Sequence, residues 1–239
     1  MPELNLDGLT VTYEVVRCAR KTIGVAVSPK GIVVVRAPHN TDQARITDFT
    51  ERIKPWIFKH LARYRRSSPP RDFVTGETLP YLGKKFKLRI VYNDTKILPV
   101  LVGGHINVYV ARHLNNEARR EAVRQALIRW YGAQAQQVLP ARLAILAQRL
   151  GAHPVAVKVK CQASRWGSCT ARGVINLNWQ LIMAPTEVAD YVIIHELCHL
   201  RIHGHQQEFW EYVAQHTPDY KALRKWLRIN VHALGFLST

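Results

Sequence analysis

The stretch DYVIIHELCHLRIHGHQQEFW, Asp190–Trp210, places four histidines within eleven residues and one glutamate between the first two. A helix turns about 100° per residue, so His195 and His199, four positions apart, project from one face. Two imidazoles at this spacing can bind one tetrahedral metal ion. Glu196, one step around the helix, can reach a water beside that ion and act as a general base. An HExxH pattern also occurs by chance on ordinary helices, so further residues decide the case.

A third histidine completes a candidate ligand set. His205 lies ten residues after His195 and directly follows Gly204, which can end the helix in a left-handed turn and bring the chain back. Three protein ligands with an open fourth position are typical of catalytic zinc sites. His203 competes for this role, but on a continuing helix it would lie a full turn beyond His199, in a row with the other two ligands. We therefore predict that His195, His199 and His205 bind Zn2+, although Ni2+, Co2+ or Mn2+ could occupy the site in a purified sample.

The first half of the chain is predicted to be β-rich. Residues 9–36 alternate in polarity and are rich in β-branched types, which predicts a short antiparallel sheet with a turn at 28–31. Helical spacing follows, with Thr41 as a candidate cap and a kink or restart at Pro55. Further strand-like pieces occupy residues 72–111.

The rest of the chain is mostly helical in pattern. A helical block from Asn115 to Gly151 is predicted to be two helices, or one helix kinked at Pro140. Two strand-like pieces then flank the loop CQASRWGSCTARG, and helices follow from Thr186, a candidate cap. No internal repeat is evident in the sequence.

These elements predict an α+β fold, in which an N-terminal antiparallel β-rich region precedes the HExxH helix and a C-terminal helical bundle. The boundary is expected near residue 112. Residues 1–112 are not expected to form an independent domain, because no linker of disordered composition follows them. Residues 113–239 would then form the metal-dependent hydrolase domain. Phe209, Trp210 and Trp226 are interpreted as core aromatics and not as platforms for stacking nucleic-acid bases.

Composition narrows the function classes. The formal net charge is +17, which favours anionic partners such as nucleic acid or nucleotides, but the basic residues are scattered along the sequence. The four cysteines fit no zinc-ribbon spacing and are interpreted as inert thiols. The chain has no apolar run long enough to cross a bilayer and no signal-peptide pattern, so we predict no membrane association and a cytoplasmic protein. The oligomeric state stays open.

Several motifs together resemble the YgjP-like zinc metallopeptidases, which are zincin-fold proteins related to SprT- and WLM-type peptidases. These motifs are GETLPYLGKKFKLRI (Gly76–Ile90), SRWGSC (Ser164–Cys169), INLNWQLIMAP (Ile175–Pro185), DYVIIHELCHL (Asp190–Leu200) and GHQQEFW (Gly204–Trp210). The resemblance implies a zincin-like domain, zinc bound by His195, His199 and His205, and Glu196 as the base. Gly204 stands where the family usually has asparagine, and Cys198 replaces a usual small residue. Some family members are described as hydrolases of nucleoside triphosphates, UTP in particular.

The loop SRWGSC has two interpretations. Trp166 and Gly167 suit a tight turn packed against the core. Alternatively, the loop lies over the metal cleft, where Arg165 or Ser168 could hydrogen-bond a developing oxyanion or a phosphate.

The favoured function is zinc-dependent hydrolysis of a peptide or protein. The alternative is a metal-dependent nucleoside triphosphate (UTP-type) pyrophosphohydrolase, and a third hypothesis is a basic nucleic-acid-binding protein with a structural metal. A peptidase needs an exposed strand edge beside the metal, for which residues 174–181 are the candidate. A nucleotide hydrolase needs several Lys or Arg side chains that converge on it.

Overall fold

The computed structural model describes residues 2–27, 32–67, 71–94, 97–162 and 165–237. The chain divides into two compact units, one formed by Met1–Pro70 with Ser238–Thr239 and the other by Arg71–Leu237. The predicted turn at 28–31 lies outside the described residues. The boundary predicted near residue 112 lies within the second unit, and the dependence of one part on the other stays a prediction.

The first unit is a four-stranded sheet followed by one helix. Its strands are β1 (Glu3–Leu6), β2 (Leu9–Arg17), β3 (Gly24–Val27) and β4 (Val33–Ala37), in the order β1-β2-β4-β3. Helix α1 (Gln43–Ser67) follows and contacts β1, β3 and β4. Its core consists of alternating strand residues and one face of the helix: Leu4, Tyr13, Val33, Val35, Ala37, Ile46, Ile57, Phe58 and Leu61.

Two local predictions about α1 are wrong. The helix does not restart at Pro55 but runs through it, because the packing of its apolar face outweighs the backbone hydrogen bond that proline removes; the alternative of a kink there stays a prediction. Asp42, and not Thr41, places a side-chain oxygen at the helix start, where it accepts a bond from the Ala44 N–H at 3.4 Å.

The second unit begins with a sheet of the same design. Its strands are β5 (Thr78–Tyr81), β6 (Lys84–Tyr92), β7 (Val100–Val102) and β8 (His105–Val110), in the order β5-β6-β8-β7. Helix α2 (Asn116–Leu150) follows, and it is one continuous helix through Pro140. The predicted start and end are confirmed: the Asn115 side chain accepts from Ala118 N–H, and Gly151 closes the helix at φ 63°.

The two sheets share a topology that the sequence does not reveal. In both, the first hairpin turns through two residues of positive φ, and the second and third strands in the sheet order run parallel. Tyr13 pairs with Val33 in the first sheet as Leu88 pairs with Ile106 in the second, and all four side chains are buried. The chain therefore contains a structural repeat of four strands and a helix.

The α+β class is confirmed, but the expected antiparallel sheets are mixed. The parallel pairs β2–β4 and β6–β8 form because the last strand of each set inserts between the second and third. Alternating polarity determines which face of a strand is buried, but it does not determine which strand lies beside it.

A small sheet and three helices complete the second unit. Strands β9 (Ala156–Lys160), β10 (Gly167–Cys169) and β11 (Val174–Asn178) form a sheet with β11 in the middle, and a 3₁₀ helix follows at Trp179–Met183. Then come the helices α3 (Thr186–Cys198), α4 (Gln207–His216) and α5 (Tyr220–Leu234), and a 3₁₀ turn at Gly235–Leu237. Helix α3 contacts α2, α4, α5, β10 and β11, which makes it the centre of this unit. Among the described helices, none is both long and apolar enough to cross a bilayer.

Candidate metal centre

Helix α3 carries the HExxH motif and is buried on almost every side. Its buried residues are Val188, Ala189, Tyr191, Val192, Ile193, Ile194, Glu196, Leu197 and Cys198. A helix that is apolar all round belongs in a core, which holds its side chains in fixed positions. Asp190 fixes it further through a bidentate pair with Arg142 of α2, at 2.6 and 2.5 Å. Thr186 is the first helical residue and not the cap, and Pro185 at the cap position makes no side-chain hydrogen bond.

Three histidine side chains converge beside this helix. The Nε2 atom of His205 lies 3.1 Å from Nε2 of His195 and 3.2 Å from Nε2 of His199. These three residues form a group whose potential ligand atoms all lie within 4.8 Å of one another. The ring of Phe209, which is fully buried, stacks on His199 at 4.3 Å between centroids and meets His195 edge-on at 4.9 Å.

The chain brings His205 to this group by a route that differs from the predicted one. Helix α3 ends at Cys198, well before Gly204, where the N–H groups of Leu200 and Arg201 bond the carbonyls of Leu197 and Cys198, three residues earlier, and tighten the last turn. Gly204 then takes φ 95°, a left-handed conformation that suits glycine, in the loop before α4. The indole Nε1–H of Trp210 donates to the His205 carbonyl at 3.0 Å and holds this loop.

His203 is exposed and lies outside the histidine group. It lies on the segment after the helix end and not on a continued helix face. The geometry thus brings together the three predicted ligands and leaves out the competitor, and the assignment of the ligands stays a prediction.

The histidine group fits a metal ion better than it fits hydrogen bonding alone. The Nε2 atom of His205 has either one proton or one lone pair, so it cannot make good hydrogen bonds to both neighbours. The Nδ1 of His199 lies 3.1 Å from the Ile202 carbonyl, which only accepts, so Nδ1 donates and the neutral ring keeps its Nε2 lone pair free. In a tetrahedral zinc site with Zn–N of about 2.05 Å, neighbouring ligand nitrogens lie about 3.3 Å apart. The observed 3.1 and 3.2 Å agree with that spacing.

Burial favours the neutral form of the His195 and His199 rings. Burial, the neighbouring rings of His199 and His205 and the charge of Arg224 lower the pKa of His195 to about 3. Burial is also the main cause of the lowered pKa of His199. Metal coordination requires the neutral imidazole, so the lowered pKa values of His195 and His199 favour binding of an ion.

Glu196 is only 5% exposed, and its carboxylate faces strand β10. Burial raises the pKa of Glu196 to about 7, while a hydrogen bond from the Cys169 N–H and the charge of Arg165 oppose the rise. Gly167 leaves space for the Glu196 side chain, because a Cβ at position 167 would lie 2.7 Å from both Cγ and Oε1 of Glu196. Strand and helix approach each other this closely only because residue 167 has no side chain.

The model of the YgjP-like metallopeptidase domain matches residues 21–230. This chain belongs to that family. It is therefore a hydrolase with a metal-binding site, as the motifs predicted. No curated protein matches the chain.

Two solved structures, both metallopeptidase zymogens, resemble part of this YgjP-like protein. Abylysin of Pyrococcus abyssi is 22% identical over 38% of this chain and 91% of its own, with a TM-score of 0.35. Jannalysin of Methanocaldococcus jannaschii is 14% identical over 40% of this chain and 98% of its own, with a TM-score of 0.36.

In this YgjP-like chain the histidine group opens into a cavity of about 1050 Å³, bounded by α3, β10 and α5. Arg165 and Ser168 both line it, as the second interpretation of the SRWGSC loop predicted. The Ser168 Oγ accepts a bond from Asn176 at 3.2 Å, and the Arg165 side chain is exposed. Ser164 of the same motif lies outside the described residues.

The prediction that residues 174–181 form an exposed edge strand beside the metal is wrong. Strand β11, which covers most of residues 174–181, pairs with both β9 and β10 and has no free edge. The strand beside the metal helix is β10, a short strand inside the segment interpreted from sequence as a loop. Three residues, GSC, give no measurable alternation, so the sequence could not identify them as a strand.

Sequence reasoning missed two other features of the site. Trp210 packs with the core, as predicted, but it also holds the His205 loop. Helix α5 lines the cavity with four basic side chains, Lys221, Arg224, Lys225 and Arg228. Their spacing in YKALRKWLR places them on one helix face, a signal that was present in the sequence.

Proposed function

We propose that this protein is a zinc-dependent peptidase in which His195, His199 and His205 bind the metal and Glu196 is the general base. The convergence of three Nε2 atoms beside a buried glutamate is the observation that supports the proposal most strongly. Imidazole ligands favour zinc among the available divalent ions, although Ni2+, Co2+ or Mn2+ can also bind such a set. Zinc bound there supplies a Lewis acid that polarises the scissile carbonyl and acidifies water.

The residues of the chain perform the remaining steps. Glu196 accepts a proton from the attacking water and delivers it to the leaving amine, with the Cys169 N–H orienting its carboxylate. Arg165 and Ser168, which line the cavity, are candidates for hydrogen bonds to the oxygen on which negative charge develops.

Strand β10 supports a peptide as the substrate. Trp166 O and Thr170 N bond to Asn178 and Val174, so this side of β10 is paired with β11. Alternate residues of an antiparallel strand direct their backbone groups to opposite sides, so those of Gly167 and Cys169 face the metal helix. An extended peptide can pair with this edge through the backbone groups of Gly167 and the carbonyl of Cys169, since the Cys169 N–H already bonds Glu196. This pairing beside the histidine group is the geometry of β-strand addition.

Other features agree with an intracellular enzyme. All four cysteines are free thiols, which suits the reducing cytosol that we propose as its location. The comparisons give no support to the nucleotide hydrolase or to a nucleic-acid-binding protein with a structural metal.

A parallel assay tests the proposal. The full chain, loaded with zinc, is offered unstructured peptides and, separately, nucleoside triphosphates including UTP. We expect peptide cleavage that a chelator abolishes and added zinc restores, and no release of phosphate or pyrophosphate. Zinc-dependent hydrolysis of UTP without peptide cleavage would reverse the assignment of the substrate.

A further inference from the structure

One face of α5 forms a basic wall of the cavity. Lys221, Arg224, Lys225 and Arg228 follow the spacing i, i+3, i+4 and i+7, and all four are exposed and line the cavity that contains the histidine group. At 1.5 Å per residue, this basic face extends about 10.5 Å along the helix.

The charges of this basic face are not compensated within the described part of the chain. None of the four side chains takes part in a salt bridge there. Glu196, which is buried, is the one carboxylate among the described residues that line the cavity. With Arg165, five basic side chains therefore face one open space.

Helix stability does not explain this arrangement. Like charges at i, i+4 repel each other, and cations in the first turn, such as Lys221, oppose the helix dipole. No acidic residue occupies that first turn. An arrangement that weakens the helix but concentrates positive charge at a cavity favours an anionic ligand.

Two of the cations are connected to the metal site. The Arg224 guanidinium lies 4.8 Å from the centroid of the Trp210 ring, and Trp210 holds the His205 loop through its indole N–H. The Lys221 ammonium lies 5.9 Å from the ring of Tyr220, which stacks on Trp210 at 5.3 Å. These aromatic faces already contact each other and the cations, so they favour a ligand recognised by charge over one recognised by base stacking.

We propose that the basic face of α5 is a subsite for acidic side chains, so that the enzyme prefers peptides with Asp or Glu at alternate positions. This inference rests on the proposed peptidase function. A peptide paired with β10 directs every second side chain to the same side, about 6.7 Å apart. The basic face, about 10.5 Å long, therefore spans two such side chains.

The test uses pairs of quenched fluorogenic peptides and the zinc-loaded full chain. One peptide of each pair has Glu at two alternate positions, and the other has Gln there. We expect kcat/KM to be about tenfold higher for the Glu peptide at low salt, since each exposed charge pair adds a modest factor. The preference should lie mainly in KM and should shrink as salt screens the charges.

Two variants with the same change of net charge show where the preference arises. Lys225→Gln with Arg228→Gln removes two charges from the basic face, whereas Lys158→Gln with Arg129→Gln removes two exposed charges that do not line the cavity. We expect the first pair to reduce the Glu/Gln preference about fivefold and the second to leave it unchanged. Unfolding curves exclude a folding defect: the control pair should match the parent, and the first pair should be at least as stable, because it removes the like-charge pairs Lys221/Lys225 and Arg224/Arg228.

The outcomes separate this inference from the proposed function. Equal cleavage of Glu and Gln peptides, or equal loss of preference in both variants, would overturn the acidic subsite while leaving the peptidase intact. Cleavage of neither peptide would overturn both. A single-stranded oligonucleotide added as competitor should inhibit peptide cleavage only weakly. The face would instead be assigned to nucleic acid if the oligonucleotide bound tightly, if Lys225→Gln with Arg228→Gln abolished that binding, and if the Glu peptide were not preferred.

Discussion

Replacing Gly167 with alanine should displace Glu196, the proposed general base, while leaving the three proposed metal ligands in place. The added Cβ would lie 2.7 Å from Cγ and Oε1 of Glu196 and 3.0 Å from Cδ, where ordinary contacts begin at 3.4 Å. The φ angle of Gly167 is outside the left-handed range, so alanine fits the backbone, and the three atoms nearest to its Cβ all belong to Glu196. Because three atoms of a buried side chain are affected, rotation of the carboxylate alone does not relieve it.

The size of the effect follows from these distances. Glu196 or β10 must move by about 0.7 Å to restore ordinary contact, and a misplacement of about 1 Å in an active site can cost about 10²-fold in rate. We therefore expect kcat for peptide cleavage to fall by about 10- to 100-fold. Overpacking at such a site also costs about 1–3 kcal/mol in the free energy of unfolding.

The assay measures kcat, bound zinc and unfolding for Gly167→Ala beside Gly132→Ala. Gly132 lies within α2, where a Cβ would meet nothing within 4 Å, so alanine there should raise stability by about 0.5–1 kcal/mol without changing kcat. Full activity in Gly167→Ala at normal zinc content would refute the argument that the close approach of β10 positions Glu196.

Two further predictions concern the ligand set and the thiols. His205→Ala should lower zinc affinity by orders of magnitude in a competitive chelator titration, whereas His203→Ala, which removes an exposed ring outside the histidine group, should change it little; the reverse order would overturn the assignment. Cys161, which is exposed, should react quickly with a thiol reagent in the native protein, whereas Cys198, fully buried on α3, should react only on unfolding, as mass spectrometry of labelled peptides would detect. Rapid native labelling of Cys198 would mean that α3 is less well packed than the structure indicates.

Local signals in the sequence predicted which histidines converge, while their role as metal ligands stays a prediction. The i, i+4 spacing of His195 and His199 requires only that α3 be a helix, and the glycine before His205 indicated that the chain turns near it. The reason given for that turn was partly wrong, since the helix ends at Cys198 through its own backbone bonds. The ends of α2 were equally predictable, because Asn115 and Gly151 are signals that act within one helical turn.

Features that depend on distant residues could not be predicted in this way. The contact of Gly167 with Glu196 joins a strand to a helix, and the residues around either partner do not predict which residue it contacts. The structural repeat is similarly hidden, because Tyr13 and Leu88 hold equivalent buried positions with different side chains. Strand order depends on which hydrophobic faces meet, and alternation along a single strand does not indicate which strand will lie beside it.

The most direct test of the account is Glu196→Gln, measured for bound zinc and peptide hydrolysis in the same sample. Glutamine keeps the shape of the side chain and loses its ability to accept a proton. Because the predicted ligands are His195, His199 and His205, we expect about one equivalent of zinc in both proteins. Hydrolysis by the variant should fall by about 10² to 10⁴-fold, the usual contribution of a general base. Full activity of the variant with zinc bound would contradict the central claim that Glu196 is the base.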